Sequence, residues 1–251
     1  MICPSAMQKL IRISAVLLLT ALCSCGKKSE ARNALEEARL LAQKGDYAGA
    51  LEKHVWFHEN ILKTDPSLSG VRLTFALADW VKLGEKYPEA LVKLRAVRDE
   101  KTARLQTGQT NWEMFQEVDA INEYLNETEA TVKLFKRIDA AKPDFAASVY
   151  PVAADALIGN GEFELAKKYM GDPAEAVADA IRRYQDNIKR IADGGTARDA
   201  SRRAFENIFT DDVVRIITVL QNTGNKEQAK QIQAEALKTL DNAKIRGAAG
   251  K

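Results

Sequence analysis

Gly45-Asp46-Tyr47-Ala48-Gly49-Ala50-Leu51 is the stretch on which the fold is decided. A helix ends there, a short polar turn with glycine follows, and a second helix opens with a small residue able to pack tightly against the first. The same plan returns at Gly84-Glu85-Lys86-Tyr87-Pro88-Glu89-Ala90-Leu91, at Leu125-Asn126-Glu127-Thr128-Glu129-Ala130, at Gly161-Glu162-Phe163-Glu164-Leu165-Ala166 and at Gly224-Asn225-Lys226-Glu227-Gln228-Ala229. Ala50, Ala90, Ala130, Ala166 and Ala229 are separated by 40, 40, 36 and 63 residues. A period near 40 is the mark of stacked helix pairs.

Outward from these joints, the chain beyond about residue 30 reads as helix almost throughout. Pro and Gly gather at Asp65-Pro66, Gly108, Lys142-Pro143, Gly171-Asp172-Pro173 and Gly194-Gly195. Val177, Ile181, Tyr184, Ile188 and Ile191 recur at three and four, a stripe that suits an amphipathic helix and no strand. Thr110 with Glu113 and Thr196 with Asp199 have capping-box spacing, and Asp172-Pro173 sets a cap before a first-turn proline. Val213-Val214-Arg215-Ile216-Ile217-Thr218-Val219 is β-branched enough for a strand, but Thr210-Asp211-Asp212 before it predicts a capped helix.

These residues resemble tetratricopeptide repeats. Gly45-Asp46-Tyr47 with Ala50, and Gly161-Glu162-Phe163 with Ala166, match that family's inter-helix turn and second-helix alanine. Ala38, Ala78, Ala154 and Ile217 fall where the first helix of a pair needs a small or apolar contact. The family period is about 34 residues, so the spacing here means longer helices or longer loops. The third copy has no turn glycine, and the longest gap leaves room for two inserted helices near 174–192 and 197–209. The expected fold is all-α: an α-solenoid of about five helix-turn-helix (TPR-like) pairs, with two inserted helices before the last pair. Repeats should fill 31–170, additional helices and the C-terminal pair 171–243, and a disordered tail 244–251. An irregular helical bundle is the alternative architecture.

The N-terminus carries an address. Lys9 and Arg12 precede an apolar run from Ile13 to Leu22, too short to span a bilayer and of the right length for a secretory signal. Leu22-Cys23-Ser24-Cys25-Gly26 resembles a bacterial lipobox, with Leu22 three residues before the cysteine and small Ser24 immediately before it. The resemblance implies a signal peptide of residues 1–24, a lipidated Cys25 and a linker over 25–30. Three acyl chains hold a protein stably, since each buried methylene contributes about 0.8 kcal/mol. Gly26 in place of Asp favours the periplasmic face of the outer membrane over the inner membrane in a didermic host. Secretion with a cut nearby is the alternative, and Met7 is an equally good start.

Removing residues 1–24 of the 251 leaves 227. Lys9 and Arg12 go with them, so 37 basic side chains become 35 against 35 acidic. A neutral body predicts no nucleic-acid partner. All three cysteines lie at or before Cys25, so disulfides, thiol catalysis and zinc–thiolate sites are excluded beyond it. No nucleophile elbow, phosphate-cradling loop or dinucleotide fingerprint is present, and nothing requires a cofactor.

The repeat resemblance implies a groove lined by the first helix of each pair, where a peptide would lie. Carried over, its groove positions are Arg32, Leu35 and Arg39; Arg72, Phe75, Asp79 and Lys82; Trp112, Asp119 and Asn122; and Asp211, Thr218 and Asn222. Each is also readable as an ordinary solvated helix face, and Trp56, Trp80 and Trp112 as core. His54 and His58 stand at i and i+4, so both imidazoles leave one helix face and could clip a metal ion. Val55, not Glu, follows the first histidine, which breaks the zincin order, and no third histidine exists. The expected function is a non-enzymatic scaffold or adaptor, lipid-anchored at the bacterial cell envelope and binding protein partners there. A metal- or small-ligand-binding lipoprotein using His54 and His58 is the first alternative, and an enzyme of unrecognised class the second.

Overall fold

The computed structural model describes residues 33–191 and 197–249, and every regular element among them is helical. The all-α expectation is met. In chain order the helices are α1 (33–43), α2 (Tyr47–Thr64), α3 (Ser69–Leu73) after a 3-10 turn at Pro66–Leu68, α4 (Phe75–Gly84), α5 (Glu89–Gln106), α6 (Trp112–Tyr124) and α7 (Thr128–Ala141). Then follow α8 (Pro143–Gly159), α9 (Phe163–Met170), α10 (Pro173–Arg190), α11 (Ala197–Asn222), α12 (Lys226–Thr239) and α13 (Ala243–Ala248). No helix among the described residues is long and apolar enough to cross a membrane. The signal segment, Cys25, the 25–30 linker, Arg32, Gly194-Gly195 and Thr196 lie outside the described residues.

Four inter-helix turns share one backbone device. Gly45, Asn126, Gly161 and Gly224 take φ values of 83°, 57°, 78° and 81°. The residue after each donates its N–H to the carbonyl five positions back: Asp46 to Leu41, Glu127 to Asn122, Glu162 to Leu157 and Asn225 to Leu220. This closure satisfies carbonyls that a helix end leaves open. The third copy, lacking glycine, keeps the device because Asn tolerates the left-handed region. The second copy is the one that departs. There Gly84 stays inside α4, Tyr87 bonds back to Leu83, and a Cβ on Gly84 would collide with the Leu91 side chain. Helix starts follow their caps: Asp46 Oδ1 accepts from Gly49, and Asp172 Oδ1 from Ala174 and Glu175.

The contacts divide the chain into two compact units. The first runs to Thr107 and includes Glu113–Glu127. Its interior is Phe57, Ile61 and Ala76 against Ala34 and Leu35, and Leu77, Trp80, Leu83, Ala90, Leu94 and Ile121 around Ala50. Trp80 is buried with its indole N–H satisfied by the Ala90 carbonyl at 2.9 Å, while Trp56 is half-buried and Trp112 exposed. The second unit is Gly108–Trp112 with Thr128 onward. Its C-terminal core gathers Val177, Phe209, Val213, Ile217, Leu220, Ile232 and Ile245. Each such side chain, fully buried, contributes roughly 1.5–3 kcal/mol.

Within the second unit, α11 packs on α8 and α9 as well as on α10 and α12. Two expectations are corrected. The helix break at Thr210-Asp211-Asp212 is absent: α11 runs unbroken from Ala197 to Asn222, with Phe209, Thr210 and Val213 all buried. No glycine or proline interrupts that span, and burial of its β-branched run outweighs the strand preference. The tail from 244 is not disordered throughout, since Ala243–Ala248 forms α13, capped by Asn242 and holding Ile245 in the core.

Candidate functional site

In the first unit, α2 turns both histidines inward, each only 3% exposed. His54 stacks on Trp80 with ring centroids 5.9 Å apart, and His58 meets the same indole edge-on at 5.7 Å. His58 Nε2 lies 2.7 Å from Glu117 Oε1, and Arg72 Nη2 lies 2.6 Å from Glu117 Oε2. Arg72 Nε donates to the His58 carbonyl at 2.8 Å, and Lys101 Nζ stands 3.2 Å from Glu117 Oε1. One ring nitrogen cannot donate to Glu117 and also accept from Arg72 Nη2, which is 3.0 Å away. The shorter contact to the carboxylate puts the proton on Nε2, leaving enclosed Nδ1 as an unpaired acceptor.

Electrostatics agree with that assignment. Burial pushes the His58 pKa down against the Glu117 bond, which raises it, so the ring is neutral. Burial pushes the Glu117 carboxyl up, but the His58 hydrogen bond and the Arg72 charge together outweigh it and hold the pKa at about 2. Burial takes His54 down to about 4. The His58 Nε2 that a metal would use is thus committed to Glu117, and no group of three or more His, Cys, Asp or Glu among the described residues is arranged to hold a metal ion.

Not all of the expected groove positions reach the surface. Arg39 and Asp79 pair at 2.8 Å and line one hollow with exposed Lys82. Phe75 is 67% exposed and Trp112 40%, while Asp119 is half-buried. Arg72, Asn122 and Leu35 are corrected to interior positions at 6%, 1% and 6% exposure. For Arg72 the reason is a break at Thr74, whose φ of −127° and ψ of −92° end α3 and turn its last residues toward α2. Asn122 accepts from Arg98 Nη1 at 3.0 Å, beside the Arg98–Glu127 ion pair. Of the last set, Asp211 pairs with Lys244, Thr218 bonds back to the Val214 carbonyl, and Asn222 is exposed.

The second unit contains a cleft that the sequence did not disclose. Its volume is about 630 Å³, bounded by α8, α9, α10 and α11. Tyr150 and Tyr169 stand 6.1 Å apart in its wall, next to Pro151, Ala154, Met170 and Ile216. Pro151 sits inside α8 and has no N–H for the carbonyl of Ala147, and both residues face the cleft. Charge gathers at the rim. Arg215 forks onto Asp155 at 2.6 and 3.0 Å and reaches Asp212 at 3.0 Å, and Arg183 reaches Asp212 at 3.1 Å. Burial lifts the Tyr150 phenol to about 12, so it remains a neutral donor. Glu175 and Asp179 stand one turn apart on α10 in the same lining.

A signal for Glu117 was present in the sequence. Met114, Val118 and Ile121 set the apolar face of α6, and Glu117 falls within it at helical spacing. Tyr150 and Tyr169 carried no such mark, since a tyrosine on an amphipathic helix reads as core edge. No protein-family model, no curated protein and no solved structure matches this chain.

Proposed function

We propose that this chain is an exported scaffold, tethered through lipid on Cys25 to the bacterial cell envelope, that binds a protein partner. The tether follows from Leu22-Cys23-Ser24-Cys25, and Gly26 favours the periplasmic face of the outer membrane. The helix pairs form a TPR-like α-solenoid in this reading, which the backbone device shared by four turns supports. The observation that carries the binding role is the open cleft of the second unit. Its wall offers two tyrosine rings and apolar side chains, and its rim holds charges oriented by ion pairs. Aromatic anchors within a charged rim are the makeup of a recognition surface.

Photo-crosslinking in living cells tests this, with the reactive residue at Ala147 or Glu175 of the full-length protein. A defined envelope protein should be captured, and lost when Glu175→Lys and Tyr150→Ala are combined. Recovery of lipid and abundant bystanders alone would sink the scaffold reading. Cys25→Ser should move the protein from the membrane to the soluble fraction; retention in the membrane would remove the lipid tether.

A further inference from the structure

The cleft of the second unit holds more acceptors than its own donors satisfy. Four carboxylates line it, from Asp172, Glu175, Asp179 and Asp212, against two guanidiniums, from Arg183 and Arg215. Those guanidiniums are matched within the protein. Arg215 engages all three of its nitrogens, two on Asp155 at 2.6 and 3.0 Å and one on Asp212 at 3.0 Å, and Arg183 reaches the other Asp212 oxygen at 3.1 Å. Asp179 pairs with Arg182 on its own helix. Asp172 and Glu175 remain, and no cationic side chain pairs with either among the described residues. The dipole of α10 offsets about half of one charge at that end, so the cleft stays net negative.

The other walls add two observations that do not depend on those charges. Pro151 inside α8 withdraws the N–H that the Ala147 carbonyl would accept, and both residues line the cleft. An acceptor without its helical donor is matched by a ligand that donates. Tyr150 and Tyr169 put two rings, 6.1 Å apart, into the same lining, and the Tyr150 hydroxyl has no hydrogen-bond partner among the described residues. The Tyr169 hydroxyl donates to Asp139, and Lys168 lies 5.0 Å from the centroid of that ring. Tyrosine faces attract cations through their quadrupole.

We propose that this cleft binds a primary ammonium group on an aliphatic stem, supplied by a lysine side chain of the protein partner. The inference rests on the scaffold reading for the source of the lysine, and on the cleft alone for its chemistry. An ammonium carries three donors and no acceptor, which suits Glu175, the Ala147 carbonyl and a tyrosine ring. Ala154, Met170 and Ile216 offer apolar surface to its methylenes, as lysine stems cover apolar surface while the charged head stays in contact with water. At about 30 Å³ per water, the cleft of about 630 Å³ has room for one lysine with the backbone on either side of it. An anionic ligand would meet two carboxylates that lack counter-ions, and a neutral ligand would leave them uncompensated.

The test uses the full-length protein in detergent, with its six tyrosine rings labelled for NMR. The probes are acetyl-Ala-Lys-Ala amide, the same peptide acetylated at Nζ, acetyl-Ala-Glu-Ala amide, and free pentylamine. The lysine peptide should shift the Tyr150 and Tyr169 signals and leave those of Tyr47 and Tyr87 in the first unit unmoved, while the acetylated and acidic peptides do nothing. Glu175→Gln should weaken binding about tenfold, as losing one hydrogen bond to a charged group does, and Glu235→Gln on α12 should not. No shift with the lysine peptide, an equal shift with its acetylated form, or an equal loss in both variants overturns the site. Tighter binding of pentylamine than of the lysine peptide overturns a partner's lysine as the source. The two readings fail separately. If the lysine peptide binds and cellular crosslinking from Ala147 or Glu175 captures no partner, the ammonium site stands and the scaffold falls. If crosslinking captures a partner and neither ammonium probe binds, the scaffold stands and this site falls.

Discussion

His58 and Glu117, 59 positions apart in sequence, join α2 to α6 through a 2.7 Å contact buried on both sides. Arg72 and Lys101 complete the charge around that carboxylate. Glu117→Gln leaves Arg72 buried without its counter-charge, and removing one partner of a buried pair costs about 3–5 kcal/mol. Combining Glu117→Gln with Arg72→Met should return part of that loss, because the only cation then left at the site is Lys101, which is partly exposed to water. Urea unfolding of the three proteins checks both points. A single-variant loss under about 1 kcal/mol, the range of exposed pairs, would show that the cluster is solvated.

Acid should unfold the protein in two stages. His54 has a folded pKa of about 4 against an ordinary 6.5, so the unfolded chain takes up the proton first. Its contribution is complete above pH 6.5 and is lost as pH falls toward 4, about 3 kcal/mol at 1.36 kcal/mol per pKa unit. His58, also lowered by burial, loses stability in the same direction from the same starting pH. Glu117, at about 2 against 4.5, contributes fully above pH 4.5 and fails only as pH drops from there toward 2. Melting temperatures between pH 7.5 and 3 should fall in that order, and His54→Phe should flatten the upper stage. A level profile from pH 7 to 4.5 would contradict the burial of both imidazoles.

Thr210 sits in the middle of α11 at 1% exposure, and its hydroxyl has no hydrogen-bond partner. Valine has nearly the same shape and no group to desolvate. Thr210→Val should therefore stabilise the protein by about 1 kcal/mol, read as a higher urea midpoint at unchanged slope. A lower midpoint would mean that the hydroxyl is satisfied in solution.

Asn126 holds a φ of 57°, the position that glycine fills at three other turns. Asn126→Ala should cost up to about 1 kcal/mol, because alanine lacks the short amide whose local hydrogen bonding eases the left-handed region, while Asn126→Gly should be neutral or slightly stabilising. Equal stability of the two variants would contradict the left-handed turn.

Helix was legible because period and punctuation agreed. Val177 and Tyr184 announced the buried face of α10, and Asp172 announced its start. The continuity of α11 was not legible, since Thr210-Asp211-Asp212 is a cap wherever a helix begins and ordinary helix where burial on both sides carries it through. Arg72 misled for a related reason: periodicity assumes a straight helix, and the break at Thr74 rotates the residues before it. For the site, the shared face of His54 and His58 followed from their spacing alone. Their partners did not, because Trp80, Arg72 and Glu117 arrive from other helices and only tertiary packing names them.

A linear array of helix pairs, each touching only its neighbours, can fray from its ends one pair at a time. The carboxylate of Glu117 works against that. Its partners come from α2, α3 and α5, so undocking any one of these helices strands buried charge on the others. The first unit should then open all at once, and hydrogen exchange across α2, α3, α5 and α6 should report a single opening free energy where an independent-repeat chain would report a gradient.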